Sequence, residues 1–436
     1  MIINFSIQNF GSVKEKQTLS FEATDSTDLE SYYIAEPIKG LRLLKLLLIY
    51  GANASGKTTI LNALEFLRDL VLDPLEKKTD GLKFEPFLFD ETTPTTNSVL
   101  SIEFVQESVR YLYEVEFNKK CVVEEWLFFF NPNKAKIFNR TTDLENQFVE
   151  ISFGSKIKRD KPYEKALAAN TLWNNTVLGG FLKTNIDLPE LKQSSSWFSD
   201  HLRPLIQSHT RLEGYVSNSI SKTNMDRATV IEILKKADLH ISDVLIKEEE
   251  QDVPDGLIEY LERQTKVPNE SLEKIKSTGK ITSVTVEFEH TVGQVKYKLP
   301  IDLESQGTRR YFCFAGLMHQ FITKSVVIPI DELESSLHPD LFIHYVLSFL
   351  VNAKTSQLLA TTHNREILDN RDLFRNDAIW FTDKSEQEAT KLYSLEDFDS
   401  NVIRNTSNVY NAYKIGKLGG VPNLGDYYLE TGHENK

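Results

Sequence analysis

Residues 51–58 read GANASGKT, a spacing of glycines, lysine and threonine suited to gripping a polyphosphate. Gly51 and Gly56 let the backbone turn tightly. Successive N–H groups from Ala52, Asn53, Ala54 and Ser55 can then converge on anionic oxygens. Lys57 neutralises β/γ-phosphate charge and the Thr58 hydroxyl is an oxygen ligand for Mg²⁺. Thr59 completes the candidate binding set in the first turn of the following helix, whose positive end faces the anion. The expected ligand is ATP with Mg²⁺. A second pair of reactive groups stands at 326–332, VVIPIDE. An apolar strand ending in Asp-Glu places two carboxylates at the strand's C-terminal edge, where ligands of open α/β sheets bind. Asp331 is expected to hold Mg²⁺, and Glu332 to polarise an attacking water. The expected reaction is hydrolysis of ATP to ADP and phosphate.

The elements around these residues have the periodicities that such chemistry needs. Leu43 to Tyr50 is almost uniformly apolar, as for a strand buried on both faces. Leu61, Leu64, Phe66 and Leu67 then recur at helical spacing. Residues 2–7, 17–22 and 98–140 alternate like antiparallel strands, with an Asn-Pro-Asn turn at 131–133. Residues 161–280 carry helix signals interrupted by polar breaks, without a sustained heptad, and 281–301 returns to strand. The last third alternates: helix at 311–322, strand at 325–330, helix at 339–351, strand at 357–361, and short strands at 376–383 and 391–395. The pattern implies an α/β fold in which a mostly parallel sheet is split in sequence by an antiparallel lobe and a helical insertion.

Composition removes several classes. With 436 residues, 40% hydrophobic and 26% charged, the chain can bury a large core across two or three domains. The apolar run before the glycine loop is broken by Arg42 and Lys45 and is too short for a bilayer. No signal peptide is read at the N-terminus, and Cys121 and Cys313 are far apart, so a cytoplasmic protein without membrane or metal–cysteine chemistry is expected. A net charge of −13 argues against a nucleic-acid coat, while leaving room for a local basic groove that binds nucleic acid.

GANASGKT, ESQGT, DELESSLHP and ATTHN, in that order, resemble the motifs of ABC-type ATPases in the SMC, RecF and OLD group. The chain looks most like the RloA-like and AbiLii-like ATPases of bacterial abortive-infection and restriction-linked systems. NFGSVKEKQTLSFEA near the start and YNAYKIGKLGGVP near the end fit the same group. The resemblance covers both ends and is weak across 160–280. It implies an ABC-type head with Ser305, Gly307 and Thr308 as the signature that meets the γ-phosphate of ATP on a partner subunit. It also implies a D-loop at Ser335, Ser336, Leu337 and His338, and His363 as the catalytic switch histidine. His338 departs from the aspartate of transporters. The segment FEPFLFD at 84–90 stands where a Q-loop is sought but holds no glutamine. Taken alone, Ser305–Thr308 also reads as a plain helix cap, and His363 as a solvated histidine.

Four regions are therefore expected. Residues 1–160 form the N-terminal half of the head, 161–280 a mainly helical insertion, and 281–400 the C-terminal half. Residues 401–436 form a tail, either a surface loop or a docking element for a partner. The function expected from the resemblance is a phage-defence ATPase, whose nucleotide state restrains or releases a toxic effector encoded nearby. Its partners would be a second copy of itself and that nuclease or toxin. The alternative is a DNA-repair ATPase that clamps DNA. The missing coiled-coil arm and the negative charge count against it. Glu332 counts against a third reading, a nucleotide-gated scaffold with negligible turnover. No second catalytic constellation is read outside the nucleotide site, and no TOPRIM-like nuclease after it.

Overall fold

The computed structural model describes residues 1–158, 161–254, 256–258, 269–398 and 409–422. These divide into two compact units, one within Met1–Ser208, Lys324–Ser335 and Val346–Lys436, the other within His209–Thr323 and Ser336–Tyr345.

The first unit opens with β1 (Ile2–Gln8) and β2 (Gln17–Ser20), then a small antiparallel pair, β3 (Ile34–Ile38) and β4 (Leu41–Leu44). Next comes β5 (Leu46–Gly51), every residue of which is buried. The apolar run read as one strand is thus broken at Lys45. This lysine is 4% exposed, and its Nζ donates to the carbonyls of Leu350 and Ala353 at 2.6 and 2.7 Å. Those carbonyls close the helix Pro339–Asn352, so Lys45 satisfies acceptors that every helix C-terminus leaves open. Burial lowers the Lys45 pKa to about 8.

Strands β6 (Ser98–Gln106), β7 (Val109–Phe117), β8 (Val122–Phe130), β9 (Lys134–Asp143) and β10 (Phe148–Phe153) extend β1 and β2 into a seven-stranded antiparallel sheet. The alternating tyrosines and phenylalanines of 98–130 build its buried face: Phe104, Tyr111, Tyr113 and Phe117 are all within 1% of full burial. Gln357 ties this lobe to the parallel sheet. Its side chain accepts from the Ile2 amide at 2.6 Å and donates to the carbonyls of Ile2 and Leu44 at 2.9 and 3.1 Å.

The second unit contains the antiparallel sheet β11 (Ile241–Asp252), β12 (Lys280–Val292) and β13 (Val295–Pro300), with helices Glu213–Ser221, Arg227–Lys236, Asn269–Thr278 and Gln306–Thr323. This division differs from the expected 161–280 and 281–400 boundaries. Residues 161–208 belong to the first unit, and the helix after the signature motif belongs to the second. The helix-rich reading of 161–280 also missed β11. That strand ends KEEEQD with its outer half exposed, so it has no apolar alternation, and its register with β12 holds it instead.

The chain returns to the first unit with β14 (Val327–Ile330), β15 (Gln357–Thr361), β16 (Ile379–Lys384) and β17 (Thr390–Ser394). The five-stranded order is β14-β15-β5-β16-β17, parallel except for the last strand. The expected mostly parallel α/β sheet with an antiparallel lobe is the observed architecture. No helix among the described residues is long and apolar enough to cross a membrane.

Candidate nucleotide site

The parallel register brings four strand ends to one edge. Thr361 of β15 stands beside Ile49, and Thr382 of β16 beside Gly51, while β14 ends immediately before Asp331. The helix Lys57–Leu72 starts from the loop at this edge and buries Ile60, Leu61, Leu64, Leu67 and Val71 as its inner stripe. Gly56, at φ 104°, turns the loop into the helix, and a Cβ there would stand 2.1 Å from Thr390 Oγ1. Only glycine fits both conditions.

Lys57 is 6% exposed. Its Nζ folds back to donate to the carbonyls of Gly51 and Ala52 at 2.9 and 3.0 Å. Burial lowers its pKa, against the attraction of Asp331, Glu334 and Glu332, which raises it. Thr58 Oγ1 donates to Asp331 Oδ2 at 2.9 Å, so the two expected metal ligands are in contact. A hydroxyl and a carboxylate are hard oxygen donors. With phosphate oxygens and water they suit Mg²⁺, which rarely needs an all-protein cage. No group of three or more His, Cys, Asp or Glu among the described residues is arranged to hold a metal.

Thr361, which the sequence did not single out, organises both acids. Its hydroxyl donates to Asp331 Oδ1 at 2.5 Å and accepts from the Glu332 amide at 2.8 Å. Glu332 takes a left-handed backbone, φ 52°, which ends the strand and turns its side chain into a cleft of about 940 Å³. Gly51, Ala52, Asn53, Ser55, Glu334 and His363 share that cleft. Glu334 was also missed, although it is the third acid of DELE. Its Oε1 accepts from the His363 amide at 2.5 Å, and its Oε2 is buried without a hydrogen-bond partner among the described residues. Partial burial and the Lys57 charge lower the His363 pKa, while Glu334, Glu332 and Asp331 pull it upward. The downward shift favours the neutral ring, which donates from one nitrogen and accepts at the other.

The side-chain hydroxyls of two members of the expected binding set face elsewhere. Ser55 Oγ is 2.6 Å from Thr382 Oγ1, and Thr59 Oγ1 accepts from Ser12 Oγ at 3.0 Å. Both hydroxyls brace the loop from behind. The Thr390 hydroxyl does the same, 2.7 Å from Ser12 Oγ and 3.0 Å from the Ser55 carbonyl. This bracing gave no signal in the sequence, because the partners lie 47 to 378 residues apart.

Ser305, Gly307 and Thr308 lie in the second unit, at the start of the helix Gln306–Thr323. Ser305 caps it: Oγ accepts from the Thr308 amide at 3.1 Å and is 2.8 Å from Thr308 Oγ1. Ser336, Leu337 and His338 belong to the same unit, and Ser335 to the first.

Residues 46–369, which include the glycine loop, Ser305–Thr308, Asp331–His338 and His363, match the family described as AAA domain, putative AbiEii toxin, Type IV TA system. The chain belongs to this family. Among solved structures it is similar to the SMC head bound to the C-winged helix domain of ScpA, at 13% identity and TM-score 0.45, over 90% of this chain and 97% of that one. It is similar to the SMC head domain from Thermotoga maritima at 11% identity and TM-score 0.40, over 90% and 98%. A third is the Smc head domain with an extended coiled coil bound to the C-terminal domain of ScpA, derived from Pyrococcus furiosus. There the identity is 13% and the TM-score 0.41, over 96% and 98%. No curated protein sequence matches the chain.

The segment YNAYKIGKLGGVP, expected to be a surface loop or a docking element, is seated in the first unit of this AAA-domain protein. Tyr413, Val421 and Pro422 line the same cleft as Gly51 and His363. Residues 401–408 and 423–436 of the expected tail lie outside the described residues.

Proposed function

We propose that the chain binds and hydrolyses ATP at the cleft between Gly51 and His363. The observation that carries this reading is the contact of Thr58 Oγ1 with Asp331 Oδ2 at the mouth of a glycine-rich loop, beside Glu332. The loop amides and Lys57, released from its own carbonyls, hold the β- and γ-phosphates. Thr58 and Asp331 would hold Mg²⁺, which would supply neutralisation of phosphate charge. Glu332 takes a proton from the attacking water, and its flipped backbone aims the carboxylate into the cleft. His363, neutral and fixed through its amide by Glu334, offers a ring N–H to the γ-phosphate oxygens.

A phosphate loop reaches the nucleotide from one side, and in-line attack leaves the outer face of the γ-phosphate open. We therefore assign Ser305, Gly307 and Thr308 to the site of a second copy of the chain, in an isologous dimer that excludes water from both sites. The AbiEii description of the family supports a role in abortive infection. In this reading the nucleotide state restrains or releases a separate toxic effector from a neighbouring gene.

The test has two parts. Purified protein should release phosphate from ATP with Mg²⁺, and Glu332→Gln should retain ATP while losing turnover. Co-expression with the adjacent gene under phage challenge should arrest growth, and Lys57→Ala should abolish the arrest. Wild-type turnover in Glu332→Gln overturns the catalytic assignment. Arrest that persists in Lys57→Ala overturns the regulatory one.

A further inference from the structure

Arg365 follows the switch histidine by two residues and lines the cleft beside His363 and Ala52. Among the described residues its guanidinium makes no ion pair with any carboxylate. It lies over the Tyr413 ring, 5.2 Å from the centroid. Tyr413 in turn is locked to the phosphate loop from the far end of the chain. Its hydroxyl donates to the Gly420 carbonyl at 2.9 Å. Its ring packs against Tyr50 and Phe381, centroids 5.8 and 5.3 Å away. Burial pushes the Tyr413 phenol up to about 12, so it remains a neutral donor. Tyr393 donates to the Leu418 carbonyl at 2.9 Å, and Leu418 is fully buried. A Cβ at Gly420 would stand 3.4 Å from Gly51 Cα. Val409–Pro422 is thus built onto the first residue of the phosphate loop.

A planar guanidinium with no carboxylate partner, in a cleft that also holds the glycine loop, is suited to fork two oxygens of a phosphate. Its stacking on a fixed ring reduces the freedom it must lose on binding. We propose that Arg365 contacts the terminal phosphate of the bound nucleoside triphosphate in cis, and that Tyr413 is the positioning residue that holds it there. The proposal rests on the nucleotide reading of the cleft. It gives the segment after residue 408 a task within the site: the phosphate loop, the switch loop and the C-terminal segment meet at Tyr413, and only a triphosphate engages all three.

Affinities for a non-hydrolysable ATP analogue and for ADP, measured by calorimetry with Mg²⁺, test this. Arg365→Ala should weaken the analogue about tenfold to a hundredfold, as for loss of charge-assisted hydrogen bonds, and ADP less than threefold. Arg365→Lys should restore part of the preference. Tyr413→Leu should reduce the analogue-to-ADP preference as well, and should add little once Arg365 is alanine, because both act through one contact. Equal loss for the two nucleotides, or no loss in Arg365→Ala, overturns the proposal. So does a Tyr413→Leu effect that is undiminished in the Arg365→Ala background. Lys57→Ala separates the two readings. If it weakens both nucleotides while Arg365→Ala changes neither, only this inference fails. If Lys57→Ala changes nothing, the nucleotide site itself is misplaced, and the inference falls with it.

Discussion

Thr361→Val is the substitution that most directly tests how the site is assembled. Thr361 is fully buried at the end of β15, and valine keeps its shape while removing the hydroxyl. Two interactions go: the donation to Asp331 Oδ1 and the acceptance from the Glu332 amide. A hydrogen bond to a charged group is worth about 1.5–3 kcal/mol, and leaving a buried N–H unpaired costs about 1–3 kcal/mol. Asp331 keeps its second oxygen on Thr58, which offsets part of the first loss. The net destabilisation expected is ~2–4 kcal/mol, which lowers the melting temperature of the unit by roughly 5–10 °C. Turnover should fall further than stability implies. The two acids are aimed by this one hydroxyl, and a displacement of about 1 Å can cost on the order of 10²-fold in rate. Calorimetric melting and phosphate release at saturating ATP read the two effects separately. Thr361→Ser, which retains the oxygen, should recover most of the rate. A valine variant that melts and turns over like the wild type would show that Asp331 and Glu332 are positioned independently of Thr361.

Other expectations follow from single contacts. Lys57→Ala should weaken ATP binding, and Glu332→Gln should keep it while lowering turnover by ~10²–10⁴-fold; nucleotide binding and phosphate release distinguish the two. The folded-state pKa of Lys45 is depressed to about 8 from 10.5, so the unfolded chain binds more protons between those values. The wild type should therefore gain stability relative to Lys45→Met as pH rises from about 8 to 10.5, which urea midpoints at several pH values will show, and a constant difference would refute the buried charge. For the shared site, Ser305→Arg is a cleaner block than a change at Gly307, where a Cβ would already stand 2.9 Å from the Ser336 carbonyl. Mixing Ser305→Arg with Lys57→Ala should restore a fraction of wild-type turnover through one intact site per mixed dimer. Absence of recovery in dimers shown to have mixed, with unchanged ATP affinity at the Ser305→Arg subunit, would refute sharing.

The sequence revealed most where function depends on contiguous residues. GANASGKT and VVIPIDE each carry a complete local pattern, and β5 and β14 are buried as their apolar runs require. Where the pattern was read too simply, a single long-range contact decides. Lys45 breaks an apolar run because its amine is needed at the end of a helix three hundred residues away. Ser55 and Thr59 stand in the loop motif, yet their hydroxyls face Thr382 and Ser12, since the loop needs support behind as much as donors in front. Thr361 and Glu334 were invisible for the complementary reason. A threonine at the end of an apolar strand and a third acid after a turn are both ordinary until the neighbouring strand is placed.

The C-terminal segment shows the same limit in a stronger form. Its clustered glycines read as a surface loop because nothing local explains them. In the fold, Gly419 and Gly420 take φ of 64° and 65° while Tyr413 reaches past them to the opening of the phosphate loop. Leu418 is buried, its carbonyl accepting from Tyr393, and Tyr413 joins Tyr50 of β5 and Phe381 of β16 in one aromatic cluster. A docking element for another protein would keep such groups exposed. Here the aromatic rings are used up in cis, and Arg365, stacked on Tyr413, is the group left facing the cleft. Within the described residues, the segment therefore packs against the first residue of the phosphate loop, and a partner that senses the nucleotide through it would have to displace Tyr413 from Gly420.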